Sequence, residues 1–248
     1  MGIIIKSPNE INIMRQAGRI VATILAALKS EVRSGISTGM LDAIATRMFQ
    51  EYGARASFNG YRGFPASICT SVNEEVVHGR PGGRVLQEGD LIAIDVGAIY
   101  NGFQGDAAIT VGVGQISPEA ESLIDTTRRS LEAGIAAARE GARLSDISAA
   151  IQLCAESNGF SPVRQYVGHG IGRQMHEKPE IPNFGPPGKG PILKRGMTLA
   201  LEPMINAGGW ATKVLPDRWT VVTADGSLSA HFEHTIAITN GAAEILTV

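Results

Sequence analysis

The segment Gly89–Val111, GDLIAIDVGAIYNGFQGDAAITV, carries two β-rich apolar arms around the dipeptide Asn101-Gly102. Asn-Gly supplies the positive φ angles of a tight type I′ turn, so the segment predicts a β-hairpin. With this loop, Asp95 and Asp106 become diagonal neighbours on one face of the hairpin, with Cβ atoms roughly 7 Å apart. Two unpaired carboxylates at that distance repel each other and resist burial. The hairpin therefore predicts a positive group between them, and a metal ion is the economical candidate.

The length and composition are those of an ordinary globular protein. The 248 residues suffice for one large domain or two packed halves, with 44% hydrophobic and 19% charged residues. The net charge of −2 and the pI near 6.2 argue against a broad surface for nucleic acid or another polyanion. We therefore expect no nucleic-acid-binding surface.

Three features predict a cytoplasmic protein that does not enter a membrane. The longest strongly apolar run, Ile20–Leu28, is too short to span a bilayer. The opening MGIIIKSPNE lacks the basic region and cleavage site of a secretory signal. Cys69 and Cys154 are too few for a disulfide framework, which favours a reducing compartment.

Helix signals occur twice along the chain. Ser7 is followed by Pro8 and Glu10, which together form a capping box with proline at the first helical position, and Ser117-Pro118 repeats this start. Each of these helices is followed by a second, shorter helical pattern. The predicted helix starts and stops, in chain order, are Ser7, Ser37, Gly53, Ser117, Gly141, Ser145 and Gly159.

The strands also recur. Gly89–Asp95 is matched by Gly196–Glu202, and Asp106–Val111 is matched by Glu233–Ile238. In each pair an acidic residue holds the equivalent position, so each half of the chain contributes two acids. The difference in residue number between matched strands is larger for the second pair. The reason is that the loop between the two matched strands of the second half contains extra residues.

The duplication predicts an α+β fold in one catalytic domain, residues 1–248, with halves at about 1–115 and 116–248. Packing the halves about a pseudo-two-fold axis would place antiparallel sheets inside and helices outside, with the four acids at the axis. The alternative is that short apolar motifs recur by chance. We consider it weaker, because helix starts, helix stops and acids recur in one order.

The histidines are the remaining candidate ligands. His169 lies within GHGIG, where three alternating glycines exclude a stable helix and let the backbone approach a site closely. A mostly carboxylate set with one imidazole suits Mn²⁺, Fe²⁺, Co²⁺ or Zn²⁺. Two ions bridged by carboxylates would balance four acids better than one ion. The five histidines are His78, His169, His176, His231 and His234.

Each of these residues has a simpler interpretation when it is taken alone. A single aspartate most often caps a turn or pairs with a basic residue, and a single histidine is usually satisfied in the core or on the surface. The glycines around His169 would then form an ordinary loop. A pair of glycosidase carboxylates is a further alternative, but it leaves His169 and two of the acids without roles. The matched positions in two half-repeats favour the metal site.

The chain resembles the type I methionine aminopeptidases in their short bacterial form, and the resemblance covers nearly its whole length. It implies the pita-bread (creatinase/aminopeptidase) fold, with two pseudo-two-fold-related halves. The motifs that carry the resemblance are IDVG at Ile94–Gly97, NGFQGD at Asn101–Asp106, GHGIGRQMHEKP at Gly168–Pro179, LALEPM at Leu199–Met204 and FEHT at Phe232–Thr235.

The resemblance implies a hydrolase that removes the N-terminal methionine from nascent proteins and peptides and favours a small second residue. The nucleophile would be a water or hydroxide that bridges two divalent metal ions, with Co, Mn, Fe and Zn all compatible. The implied partner is the N-terminal methionine of nascent polypeptides. A contact with the ribosome stays open, and we expect a monomer.

The resemblance also implies roles for individual residues. The catalytic residues would be His78 and His176, which contact the substrate around the scissile amide, and Glu202, which moves a proton. The metal ligands would be Asp95, Asp106, His169, Glu202 and Glu233, with Asp106 and Glu233 bridging both ions. The methionine pocket would contain Tyr61, Phe64, Cys69 and Trp219.

The sequence departs from the family pattern at several positions. Phe58 stands where Cys is common, Met175 where Phe is common, and Phe184 where Tyr usually follows Asn. We expect Phe58 and Met175 to line the substrate pocket. His231 stands where Gln is common, and we interpret it as a neutral surface change.

Two other functions remain alternatives within this fold. An X-Pro aminopeptidase or prolidase would share the ligands, but those relatives usually carry an extra N-terminal domain for which 248 residues leave no room. A non-catalytic binding module would keep the fold but typically loses metal ligands, and here all five positions are present.

Overall fold

A computed structural model describes residues 2–248. In that part of the chain the helices are α1 (Pro8–Glu31), α2 (Thr38–Glu51), α3 (Pro118–Ala137) and α4 (Leu144–Ser157), with a short 3-10 turn at Tyr61–Gly63. The strands of the first half are β1 (Arg55–Ala56), β2 (Cys69–Val72), β3 (Glu75–Val77), β4 (Leu91–Tyr100) and β5 (Phe103–Gly112). Those of the second half are β6 (Ser161–Pro162), β7 (Gly168–Gly170), β8 (Glu177–Ile181), β9 (Thr198–Leu201), β10 (Met204–Asn206), β11 (Thr212–Val214), β12 (Val221–Thr223), β13 (Ser229–His231), β14 (Glu233–Ala237) and β15 (Glu244–Ile245).

Three of the four predicted helix starts are confirmed by side-chain caps. The Ser7 hydroxyl accepts from the Glu10 amide while the Glu10 carboxylate accepts from the Ser7 amide, which completes the capping box of α1. Ser37 caps α2 by accepting from the amide of Met40, and Ser117 caps α3 in the same way. These caps fix where each helix enters the fold.

The start of α4 differs from the prediction at Ser145. The N-cap is Arg143, whose amide donates to the Asp146 carboxylate at 2.8 Å. The Ser145 hydroxyl instead accepts from the amide of Lys189 at 2.7 Å, a partner far along the chain. Helix α3 likewise ends at Ala137, before the predicted stop at Gly141.

The hairpin forms with the predicted register. Tyr100 faces Phe103, and the turn residues Asn101 and Gly102 have φ angles of 47° and 78°. Asp95 lies opposite Ala108, so the diagonal arrangement of the two aspartates is as expected. The second half repeats this element as the antiparallel pair of β9 and β14.

The two halves share one antiparallel sheet within residues 2–248. Its strand order is β1-β4-β5-β14-β9-β7-β8, with β2 paired to β4 and β15 paired to β14. Strands β5 and β14 join the halves, with Glu233 opposite Ala108 and His234 opposite Ala107. The expected inner sheets are therefore continuous. The α+β pita-bread prediction is confirmed, with helices on the outer face of this sheet.

The helices bury the outer face of the sheet. Apolar side chains of α1 and α2 pack on β4, and those of α3 and α4 pack on β9 and β14. Helix α1 is long and apolar enough by length and composition to cross a membrane, but 44% of that stretch is buried inside the protein. Its Gly18 permits close contact, because a Cβ there would overlap the backbone carbonyl of Leu246. Each fully buried aliphatic side chain contributes about 1.5–3 kcal/mol.

Candidate active site

Five neighbouring strands of the sheet each position one of the predicted ligands. Asp95 lies on β4, Asp106 on β5, Glu233 at the start of β14 and His169 on β7, while Glu202 directly follows β9. Strand order therefore brings residues that are distant in sequence into one row across the sheet.

Register places three of the acids on one face. Asp95 is opposite Ala108, and Ala108 is opposite Glu233, so these three side chains point to the same side of the sheet. Asp106 precedes Ala108 by two residues on β5 and shares that face. The acids face away from the helices, toward the cavity described below.

The same rule extends to the other two ligands. Thr235 follows Glu233 by two residues on β14, and it lies opposite Ala200, which in turn lies opposite His169. Glu202 lies two residues beyond Ala200. Backbone register thus explains why all five side chains converge.

The ligand atoms are close enough to share a cation. One donor atom each of Asp106, His169 and Glu233 lies within 4.8 Å of the others. The His169 Nε2 atom lies 3.5 Å from the Glu202 Oε1 atom. The side chains are also secluded, since Asp106 and Glu233 are only 3% and 2% exposed.

Burial opposes ionisation of this cluster. It raises the pKa of Asp95, Asp106, Glu202 and Glu233 above their ordinary values, and neighbouring carboxylates raise the pKa of Asp106 further. Among residues 2–248, none offers a hydrogen bond to the buried atoms Asp95 Oδ1, Asp106 Oδ1 or Glu233 Oε1. Buried polar atoms are normally paired, so these oxygens point to a missing positive partner.

His169 gives an independent indication of a cation. Its Nδ1 atom is 2.9 Å from the Gly170 carbonyl oxygen, which can only accept, so Nδ1 carries the hydrogen. Burial lowers the pKa of His169 to about 3, so the ring is neutral and Nε2 holds a lone pair. That lone pair faces the Glu202 carboxylate, an unfavourable arrangement that a cation between them would make favourable. The residues therefore fit a divalent metal site.

A cavity of about 160 Å³ lies against the cluster. This volume is below that of pockets for drug-sized ligands and suits a single side chain. Each side chain that was predicted for the site lines it, and Arg62, which sequence reasoning did not name, lines it as well. The lining residues are Phe58, Tyr61, Arg62, Phe64, Cys69, His78, Asp95, Asp106, His169, Met175, His176, Glu202, Trp219 and Glu233.

One wall of the cavity is aromatic. The Phe64 ring contacts the Trp219 ring edge-on with centroids 5.1 Å apart, and it contacts Phe58 similarly at 6.5 Å. Cys69 lies opposite Asp95 on the neighbouring strand, which joins this apolar wall to the acids. The expectation that Phe58 and Met175 line the pocket agrees with this geometry, whereas Phe184 lies beneath the Arg164 guanidinium.

Two further histidines, His78 and His176, line the cavity together with the acids. The His176 Nδ1 atom is 2.8 Å from the Tyr61 hydroxyl, and the His176 ring is 4.4 Å from the His169 ring. His78 is half-buried, and this partial desolvation lowers its pKa to about 4. Burial and the nearby Arg62 guanidinium also lower the pKa of His176. Both rings are therefore neutral near pH 7.

The interpretation of His231 as a surface change is wrong. Its side chain is 2% exposed, and its Nε2 atom lies 3.8 Å from Glu233 Oε2 and 4.0 Å from Glu202 Oε2. The sequence did contain a signal, because His231 precedes Glu233 by two residues and extended residues two apart share a face. Arg62 was missed because its position depends on the irregular turn after α2 and β1.

The family model described as metallopeptidase family M24 matches residues 12–240, and this chain belongs to that family. It is 56% identical over 245 residues to methionine aminopeptidase 1 of Bacillus subtilis (strain 168), with 99% of each chain covered. The crystal structure of methionine aminopeptidase from Thermotoga maritima is similar with a TM-score of 0.98 and 46% identity, covering 99% of both chains.

More distant structures share the fold alone. Prolidase from Pyrococcus furiosus superimposes with a TM-score of 0.77 at 21% identity, and the match covers 99% of this chain but 65% of the prolidase. The resemblance to the type I enzymes in the sequence is thus confirmed at the level of the family and the full-length relatives.

Proposed function

We propose that this protein is a metal-dependent aminopeptidase that removes the N-terminal methionine from nascent proteins and peptides and favours a small second residue. The observation that carries the proposal is the convergence of five ligand side chains, from five neighbouring strands, beside an aromatic cavity that suits one side chain. Full-length similarity to proteins named methionine aminopeptidase supports it.

The cluster would hold two divalent ions. Four carboxylates and a neutral imidazole carry four negative charges when the acids are ionised, and two divalent cations balance them. Carboxylate-rich ligand sets with imidazole accept Co²⁺, Mn²⁺, Fe²⁺ or Zn²⁺. When bound, the ions supply Lewis acidity and a water of lowered pKa. The residues that would hold the ions are Asp95, Asp106, His169, Glu202 and Glu233.

The chain's own groups would assist the reaction around the scissile amide. Tyr61 fixes the His176 ring through Nδ1, which leaves Nε2 to stabilise negative charge on the carbonyl oxygen. His78, which lines the same cavity, would hydrogen-bond near the peptide nitrogen. Glu202, which lines this cavity as well, would take up a proton and pass it to the leaving amine.

The cavity would select methionine and a free amine. Sulfur–aromatic contacts favour an unbranched thioether side chain in the cavity, against the wall formed by Phe64 and Trp219 and beside Cys69. Phe58 and Met175 would narrow the same pocket. The other end of the cavity, at the ligand cluster, would take the unblocked α-amine, and this would restrict action to the first residue.

A larger groove would take the rest of the polypeptide. Its volume is about 540 Å³, and it shares Arg62, His169 and His176 with the cavity. Gln165 and Lys178 line its outer part. A chain whose first side chain fills the cavity could therefore leave along this groove without crossing the sheet.

We also propose that residues 1–248 act as one catalytic domain, as a cytoplasmic monomer on nascent chains. The sheet shared by the two halves supports the single domain, because the ligand row crosses the junction of β5 and β14.

The test is mass spectrometry of three peptides that differ only at the N-terminus: Met-Gly, Nα-acetyl-Met-Gly and Ala-Pro. We expect loss of methionine from the first peptide alone, suppression by a chelator and recovery on adding Co²⁺ or Mn²⁺. Preferred cleavage of Ala-Pro would instead show prolidase-type specificity. Absence of cleavage in metal-loaded protein would refute the proposal.

A further inference from the structure

His231 lies beside the acids of the cluster, although it has no role in the proposed function. Its ring is 2% exposed, and its Nε2 atom faces one oxygen of Glu202 and one of Glu233, at 4.0 Å and 3.8 Å. Within the described chain, that nitrogen has no hydrogen-bond partner. A buried ring nitrogen is normally hydrogen-bonded, so the orientation of this one toward two carboxylates indicates an interaction with them.

The backbone holds His231 firmly in this position. Its amide donates to the Thr110 hydroxyl at 2.8 Å, and the same hydroxyl donates to the His231 carbonyl oxygen at 2.8 Å. On its other side, His231 pairs with Met204 in the β10–β13 ladder. Strands from both halves therefore hold the backbone of His231 in place beside the acids.

Glu202 lies between two imidazoles that face different oxygens. His169 Nε2 faces Glu202 Oε1 at 3.5 Å and carries a lone pair, so that gap requires a cation. His231 Nε2 faces Glu202 Oε2. Because ionised carboxylate oxygens accept, a hydrogen on the His231 Nε2 atom would make its position beside both acids favourable.

We propose that His231 is a positioning residue, whose Nε2–H group donates to Glu202 and Glu233 and orients both carboxylates for the metal ions. The present distances exceed hydrogen-bond length, and a small movement of the carboxylates as they close on a cation would bring them within reach. Groups of this kind typically change metal affinity by about 10–100-fold. This inference rests on the proposed metal centre.

A different role for His231 makes a different prediction. Donor atoms of Glu202, His231 and Glu233 also lie within 4.8 Å of one another, as they would if His231 bound a metal directly. A ligand supplies a lone pair, whereas a positioning residue supplies a hydrogen. Glutamine has an amide N–H donor, so it can replace a positioning histidine. It has no imidazole nitrogen, so it cannot replace a histidine that binds the metal through that atom.

The experiment measures Mn²⁺ affinity by calorimetry and the visible spectrum of the Co²⁺ form. The variants are His231→Leu, His231→Ala and His231→Gln, each checked for folding by circular dichroism in the metal-free state. We expect the Leu and Ala variants to bind Mn²⁺ about 10–100-fold more weakly. We expect His231→Gln to stay within about threefold of the parent and to keep its Co²⁺ spectrum.

His234→Gln is the matched control. His234 is adjacent to Glu233 but points to the other face of β14, where its Nδ1 atom lies 2.8 Å from the Thr247 hydroxyl. We expect parental metal affinity in this variant. An equal loss in His234→Gln would show that the effect is a general weakening of the strand and would overturn the proposal.

Two further results would overturn the proposal. Parental Mn²⁺ affinity in the folded His231→Leu or His231→Ala variant would show that the ring has no role in metal binding. Weak binding by His231→Gln together with an altered Co²⁺ spectrum would make His231 a ligand instead. Failure of the proposed function is distinguishable, because the parent protein itself would then bind no metal or leave Met-Gly peptides intact.

Discussion

His78 combines an unusual backbone with a functional position. Its φ angle of 59° places a residue other than glycine in the left-handed region, and its ring packs edge-on against Tyr166, with centroids 5.7 Å apart. Such conformations cost about 1–3 kcal/mol and concentrate at functional sites. The surrounding structure therefore maintains this turn after β3, and the turn places the His78 ring in the cavity.

His78→Ala tests this residue directly. If His78 contacts the substrate and not the metal, we expect turnover of a Met-Gly peptide to fall by about 10²–10⁴-fold. Metal content should stay at the parental value, because the ring contributes no ligand to the cluster. Steady-state kinetics and elemental analysis of the same preparation measure both. Loss of metal would assign His78 to the metal centre instead.

For individual residues, the sequence predicted which candidate ligands converge but predicted little about the residues around them. Asp95, Asp106 and Glu233 follow from strand alternation and the half-repeat, because side-chain direction alternates with period two. His231 was misplaced because burial depends on β10 and β5, which the local pattern does not reveal. The left-handed φ of His78 is likewise a tertiary effect.

Strand β7 shows why a short element needs its glycines. A Cβ on Gly168 would lie 2.5 Å from the Ala200 carbonyl oxygen, and one on Gly170 would overlap the Lys178 carbonyl oxygen. The sequence predicted that these glycines let the backbone approach a site closely. In the structure they let neighbouring strands approach each other closely. It keeps His169 in register with Ala200 and hence in the ligand row.

The segment before α1 is fixed to β8 by a buried ion pair. Lys6 Nζ contacts Glu177 Oε2, and the two side chains are 4% and 5% exposed. The Lys6 amide also donates to the Gly196 carbonyl oxygen. Glu177 follows His176 directly, so this pair supports the wall of the site.

We expect Lys6→Met to destabilise the protein by about 3–5 kcal/mol, because it leaves the Glu177 carboxylate buried and unpaired. The double variant Lys6→Met/Glu177→Leu should recover most of this loss, since both charges are then absent. Urea unfolding of the metal-free variants measures the free energies. Equal stability of the parent and the single variant would contradict this account of the pair.

Helix boundaries were predictable where the cap is local and not where it is tertiary. Ser7, Ser37 and Ser117 cap their own helices, and each lies where the sequence placed it. Ser145 was expected to do the same, but it bonds to the distant Lys189 amide while Arg143 begins α4. Competition from long-range partners is invisible to a local pattern.

Across the whole molecule, the junction between the halves determines the site. The Thr235 hydroxyl donates to the Asp106 carbonyl oxygen and accepts from the Asp106 amide, which locks β14 to β5. The repeat predicted that the acids converge, but it did not predict one continuous sheet. Pairing between distant strands depends on register, which the sequence of either strand leaves open.

Metal-induced stabilisation should increase with pH. Burial raises the pKa of the four carboxyls, so between about pH 4 and those raised values the folded metal-free chain binds more protons than the unfolded chain. The stability that these groups contribute is therefore lost as pH rises through that window. Metal ions bind the deprotonated ligands, so at higher pH they offset more of this lost stability.

We expect saturating Mn²⁺ to raise the thermal unfolding midpoint several degrees more at about pH 7.5 than at about pH 5.5. Differential scanning fluorimetry with and without the ion measures this difference. Asp106→Ala is the control, and it should show little shift at either pH. A shift that is equal at both pH values, or larger in acid, would be inconsistent with buried carboxylates as the ligands.

Calorimetric titration of the chelator-treated, folded protein with Mn²⁺ tests the metal centre most directly. The arrangement of Asp95, Asp106, His169, Glu202 and Glu233 predicts saturable binding of two ions per chain in the parent protein. It also predicts the loss of that binding in Asp106→Ala. A folded parent that takes up no divalent ion, or an Asp106→Ala variant that binds as tightly as the parent, would contradict it.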